Sequence, residues 1–153
     1  WLIWINCPFA VHSWARHVES CGLPSPMPYQ IHWEDRGVAY KYEGHASEAD
    51  IAAATRHVQA DARYDRLLYS LHDFLACESF TFSPAAMEEM AAVNAAAARS
   101  LRAGKLAIAV VTDREEVVAS VHAYVGSGLC AHDFRIFESI VAARAWLKGM
   151  ARH

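Results

Sequence analysis

Residues 67–89 read LLYSLHDFLACESFTFSPAAMEE, and this stretch decides the fold. Leu67, Leu68, Tyr69, Leu71 and Phe74 form a mostly apolar run interrupted by Ser70, His72 and Asp73. Such a run is what a strand covered on both faces requires. A short loop follows, and a helix opens at Ser83-Pro84. The Ser83 hydroxyl can accept from a free backbone N–H of the first helical turn, and Pro84 suits the first helical position, where no N–H is needed. Open α/β sheets carry their sites on loops at the carboxyl ends of strands, so a site on this stretch belongs at the end of this one.

Working outward, Tyr29–Glu34 alternates apolar and polar residues as a half-buried strand does. Asp35-Arg36-Gly37 reads as a tight turn into a second alternating strand, Val38–Glu43, ended by Gly44. Ser47-Glu48-Ala49-Asp50 has capping-box spacing and starts a helix with Ile51 and Val58 on one face. On the other side, the helix from Ser83 runs to about Arg102. It is rich in alanine, with Met87, Met90, Val93 and Leu101 as its larger apolar residues. Alanine favours helix and allows close approach. Lys105–Thr112 is a second buried strand, and Thr112-Asp113-Arg114-Glu115 has the spacing of another capping box. The helix beyond it stops at Gly126-Ser127-Gly128. Phe134–Phe137 is a last strand, and Ser139–Met150 a last helix.

The order is β-β-α-β-α-β-α-β-α, which predicts an α/β fold: a mixed, mostly parallel sheet of about five strands with four helices. Residues 27–153 read as one domain. Residues 1–26 follow no sustained period and close in Gly22-Leu23-Pro24-Ser25-Pro26, linker chemistry. They read as an upstream extension or misplaced start with Met27 the natural first residue, or as an aromatic arm that packs on the domain or a partner.

The chain has 153 residues, 54% hydrophobic and 20% charged, enough for a core and unlike a disordered segment. A net charge of −3 leaves no basic surplus for nucleic acid. No apolar run approaches the roughly 20 residues of a membrane span. Cys7, Cys21, Cys77 and Cys130 include no C-x-x-C pair and read as reduced thiols of a cytoplasmic protein.

Three features resemble the STAS-like, SpoIIAA-like domains, including the anti-sigma factor antagonists: the opening hairpin before a capped helix; Asp61-Ala62-Arg63-Tyr64-Asp65, similar to the D-x-R-[FY]-D link into the central strand of uncharacterised bacterial members; and the strand-loop-helix of residues 67–89 with the LAIAVVT strand and Ala-Trp-Leu helix after it. The resemblance implies a regulatory, non-enzymatic domain that works by protein–protein contact. In the antagonists the helix start reads Asp-Ser-Ser/Thr-Gly, and phosphorylation of its second hydroxyl residue releases the partner. This chain has Thr81-Phe82-Ser83-Pro84 there, so Ser83 alone falls at the phosphoacceptor place.

The interaction candidates are therefore Ser83, Thr81, Phe80, Phe82 and Glu78 on the loop, with Phe80 and Phe82 as exposed anchors, and Asp73 at the end of the strand. The partner is a protein, a second copy of the chain included. A pocket for a small apolar molecule or lipid between sheet and helices would be lined by Tyr69, Phe74, Met87 and Met90. No catalytic set, cofactor or metal is implied. His72, Cys77 and Glu78 lack zinc-site spacing, and a Cys77–His72 nucleophile pair would lack an orienting third group. A cleft gathering His72, Asp73 and Cys77 would mark an enzyme instead.

Overall fold

The opening hairpin forms where the alternation predicts it. β1 (Tyr29–Trp33) pairs antiparallel with β2 (Gly37–Ser47), and the Glu34 N–H donates to the Gly37 carbonyl at 2.9 Å to close the turn. The computed structural model describes residues 27–150, and the expectations for residues 1–26 fall outside them. After β2 come α1 (Glu48–Gln59), β3 (Tyr69–Thr81), α2 (Pro84–Ala97), β4 (Ala107–Val111), α3 (Glu115–Gly126), β5 (Asp133–Phe137) and α4 (Ile140–Met150). The strands stand in chain order in one five-stranded sheet, with β2 to β5 parallel. This is the mixed α/β architecture that the element order predicts.

Side-chain alternation divides the sheet into two faces. Val38, Tyr40, Tyr42, Phe74, Ile108 and Val110 point to the face covered by α1 and α3, where Ala54, Val58 and Val117 meet them. Ala39, Leu71, Ala107, Ala109 and Val111 point the other way, to Ala143 and Leu147 of α4. The small residues on that second face let α4 lie close. α2 behaves differently: it rests on α1 and α3 and makes no comparable approach to the sheet.

Several local expectations need correction. β3 does not end at Phe74 but runs on to Thr81, paired with a β2 that continues through Gly44 to Ser47. The stretch from Glu78 to Thr81 is therefore strand, not loop. Gly44 does not end β2. It sits inside the strand at φ 64°, beside the register shift with β3, where its missing Cβ makes the left-handed conformation accessible. Asp73 does not close its strand either. It lies in mid-strand, buried, at a bulge, and its Oδ1 accepts from the Leu75 N–H at 3.0 Å, a donor that the register shift takes out of the ladder. At the second bulge, the Arg114 Nε donates to the Cys77 carbonyl at 2.5 Å. The Ser47 capping box forms as predicted. The one predicted at Thr112 does not: α3 starts at Glu115, and the Thr112 hydroxyl accepts from the Arg114 N–H in a tighter turn. α2 ends at Ala97 in a short 3-10 turn, so Gly104, at φ 75°, closes the following turn and not the helix.

One staple ties the hairpin turn to the start of β3 and to α4. Arg144 of α4 grips the Glu34 carboxylate with two nitrogens, at 2.7 and 2.9 Å, and the Tyr69 hydroxyl donates to it at 2.6 Å. The guanidinium holds the Glu34 carboxyl below its usual range. Burial, and then that hydrogen bond, push the Tyr69 phenol up to about 12. The Tyr69 ring lies directly on Gly37, where a Cβ would stand 2.1 Å from it. Gly37→Ala must therefore displace the ring and break its bond to Glu34, with an expected loss of about 1–3 kcal/mol. Urea unfolding measures this, and an unchanged midpoint would mean that the ring moves freely.

Candidate functional site

Because α2 is carried above the sheet, a cavity of about 130 Å³ remains beneath it. Its floor is the helix-facing side of the central strands. Tyr40 stacks on His72 with ring centres 4.3 Å apart, and Tyr42 stacks on Phe74 at 4.4 Å. These are neighbours across the parallel β2–β3 pair, and such aromatic contacts add to burial in fixing register. Phe80 meets Phe74 edge-on at 5.6 Å and stacks on Phe82 at 6.0 Å, which turns the aromatic series up from the floor toward α2. Met87 and Met90 come down from α2, and Tyr124 closes the side from α3.

The cavity is lined by no Lys, Arg, Asp or Glu; its polar side chains are hydroxyls, amides and the imidazoles of His72 and His132. Ser70 is buried, and its Oγ lies 3.2 Å from the His72 Nε2. His72 is half-buried and borders the cavity. Burial lowers its pKa to about 4, so the imidazole is neutral at pH 7, with one nitrogen donating and one accepting. Among the described residues, Ser70 is its hydrogen-bond partner. Tyr64 also borders the cavity, its phenol pushed up to about 12 by burial. Overhead, the Gln59 amide of α1 donates to Asn94 at 2.8 Å, and the Asn94 amide donates to the Tyr124 hydroxyl at 3.1 Å. Asn94 thus suspends α2 between its two neighbours.

Outside, a groove runs between α1 and α2. Phe82, Met90 and Thr55 line both groove and cavity, so these three side chains form the partition between them. Glu48, Arg56 and Glu89 give the groove a charged rim. At its end Ser83 caps α2 as predicted, accepting from the Ala86 N–H at 3.2 Å, while its own N–H donates to the Glu48 carboxylate at 2.9 Å. That backbone donor is the main reason Glu48 titrates low.

The sequence candidates separate accordingly. Ser83 and Thr81 are exposed at the β3–α2 corner, and Thr81 faces His45. Glu78 is exposed at the second bulge. Phe80 and Phe82 are not exposed anchors: both are half-buried in the cavity wall, because their alternate positions on an extended β3 and its exit turn them under α2. Phe74, Met87 and Met90 line the cavity, whereas Tyr69 points to the α4 face and belongs to the Glu34 staple. His72, Asp73 and Cys77 do not converge. Asp73 is on the opposite face from His72, and the Cys77 thiol donates to the Ser79 carbonyl. No group of three metal-ligating side chains occurs among the described residues. Asp61 and Asp65 of the link into β3 have structural partners, Arg63 and Arg102, and Arg63 covers the Trp33 ring at 3.8 Å. Sequence reasoning did not single out Ser70, Tyr40, Tyr64 or Asn94. The period-two series Ser70-His72-Phe74 carried the signal, since it sets two polar side chains on the helix-covered face of a buried strand.

No protein-family model and no curated protein matches the sequence. A similar solved structure is that of an uncharacterized protein of the DUF3478 family with a SpoIIAA-like fold from Shewanella loihica PV-4. It is 15% identical, with a TM-score of 0.50, over 78% of this chain and 91% of that chain. The likeness concerns the fold, and this chain has a SpoIIAA-like fold.

The buried imidazole makes stability depend on pH. Above about pH 6.5 the ring is neutral in both folded and unfolded chains, and the stability is fully present. As pH falls toward the folded value of about 4, the unfolded chain binds the proton first and stability is lost. His132, whose Nδ1 accepts from the Leu106 N–H, shifts the same way, so the comparison must isolate His72. Between pH 7 and pH 4.5, His72→Gln is expected to lose roughly 2 kcal/mol less than wild type in urea unfolding. Parallel losses would place the wild-type imidazole in contact with bulk water.

Proposed function

We propose that this chain is a non-enzymatic regulatory domain of the cytoplasm that takes up a small uncharged molecule beneath α2 and signals its presence to a protein partner through that helix. The observation that carries the reading is the cavity itself, walled largely by aromatics and methionines, without a charged side chain, and roofed by a helix that rests chiefly on α1 and α3. Pockets of this kind, apolar with a few convergent polar groups, are where small ligands bind. α2 suits the signalling role because its outward face carries Glu88, Glu89, several alanines and an exposed Val93, and its polar ties to α1 and α3 are a few hydrogen bonds. The free thiols of Cys77 and Cys130 agree with a reducing compartment. Among the described residues, no helix is long and apolar enough to cross a membrane.

The test is a native and then a denaturing mass spectrum of protein purified from its own cells. A non-covalent mass that disappears on denaturation is expected. Val110→Phe, which grows into the cavity, is expected to remain folded and to lose that mass. A bare wild-type mass, together with no affinity for any small apolar probe, would remove the ligand reading.

A second reading rests on Ser83. It is exposed at the amino end of α2, where a phosphate meets the helix dipole favourably. The same phosphate would stand beside the Glu48 carboxylate that now holds the Ser83 N–H, so modification would loosen α2 from α1 by like-charge repulsion. Partner capture by Ser83→Asp is expected to fall well below wild type, whereas Ser83→Ala should lose only the cap, about 1 kcal/mol of stability. Equal capture by Ser83→Asp and wild type would dismiss the switch.

A further inference from the structure

Size, charge and the placement of two polar side chains narrow the ligand. The cavity holds about 130 Å³, and an apolar cavity of about 150 Å³ accepts one benzene ring. A diacyl lipid is far larger than this space. No lysine, arginine, aspartate or glutamate lines the wall, so a buried carboxylate, phosphate or ammonium would find no counter-charge. The rings of Tyr40, His72, Tyr42 and Phe74 stand side by side, their faces stacked on one another, and Tyr40, His72 and Phe74 turn ring edges to the cavity, against which an aromatic ring packs edge-to-face. His72 and Ser70 are the polar pair on that floor, with the imidazole bonded to Ser70 through one nitrogen. Its other nitrogen keeps no partner among the described residues.

Resting on the ligand-binding reading above, we infer that the cavity is a site for a neutral, single-ring aromatic compound bearing one hydroxyl or comparable hydrogen-bonding group, packed against the ring edges of the Tyr40–Phe74 floor and hydrogen-bonded by the His72–Ser70 pair. Ring and hydroxyl are read separately. The apolar wall takes the ring, and the polar pair tells a phenol from a plain hydrocarbon, because a lone hydrogen-bonding group buried in an apolar site needs a partner. The neutral state of His72 at pH 7 agrees with an uncharged guest. Phe82, Met90 and Thr55 stand between the cavity and the α1–α2 groove.

The experiment is calorimetric titration of the full chain at pH 7 with three probes of one ring each: phenol, benzene and benzoate. Phenol is expected to bind about tenfold more tightly than benzene, the difference of one good hydrogen bond, and benzoate is expected not to bind. His72→Phe should bring phenol down to the benzene value while leaving benzene bound. His72→Gln, which keeps an amide, should retain part of the preference, and Ser70→Ala provides the same comparison if His72→Phe does not fold. Val110→Phe should abolish binding of both neutral probes, which locates them in the cavity. Equal binding of phenol and benzene, or benzoate as the tightest probe, would overturn the inference and leave the ligand reading in place. A phenol preference untouched by both His72→Phe and Ser70→Ala would overturn it as well. No binding by any probe would remove both.

Discussion

The unequal length of the strands governs the rest of this structure. β2 and β3 are 11 and 13 residues long, whereas β4 and β5 have 5 each. β4 pairs only with Tyr69–Asp73, so the last part of β3 runs on as a two-stranded parallel ribbon with β2. Eight residues of overrun carry the end of β3 up to about 26 Å past β4, at about 3.3 Å per residue. A plain ribbon of that length would expose an unpaired edge. Two bulges bend it, the Asp73 carboxylate takes the Leu75 N–H, and the Arg114 guanidinium takes the Cys77 carbonyl. α2 therefore begins at a point displaced from the sheet and returns above it, supported by α1 and α3.

The space so created is costly. A residual cavity is worth roughly 24 cal/mol per Å³ in lost packing, so about 130 Å³ left empty costs about 3 kcal/mol, a sizeable fraction of a small domain's stability. The composition of α2 fits that state of affairs. Its alanines supply helix propensity without reaching the sheet, and Met87 and Met90, unbranched and adaptable, are the side chains that do reach inward. The opposite face shows the contrast. There Ala39, Ala107 and Ala109 let α4 settle directly on the strands, and Trp146 packs against Phe137.

Ser83 holds α2 in two ways. Its side chain is a helix cap, and its backbone N–H is the tether of α2 to Glu48. Both functions sit where the SpoIIAA-like resemblance puts a phosphoacceptor, although neighbouring positions of that motif differ. A charge added there acts on the roof of the cavity, so phosphorylation and ligand uptake would address the same mechanical element.

The sequence by itself determined the element order, the mixed sheet, the Ser47 and Ser83 caps and the resemblance to SpoIIAA-like domains. These rest on local chemistry: period-two alternation, buried apolar runs, and hydroxyl side chains placed to accept from free N–H groups. Strand length was misread because Leu75–Thr81 alternates weakly and contains Cys77, Glu78 and Ser79. Pairing with β2, not intrinsic preference, holds it extended. For the same reason Phe80 and Phe82, readable as loop anchors, become cavity wall, and Tyr69, readable as pocket, goes to the face of α4. Only the tertiary structure decided that α2 stands off the sheet and that Ser70, His72, Tyr40 and Asn94 border one cavity. Those four residues come from three elements whose relative heights depend on strand overrun, and no period in the chain encodes a height.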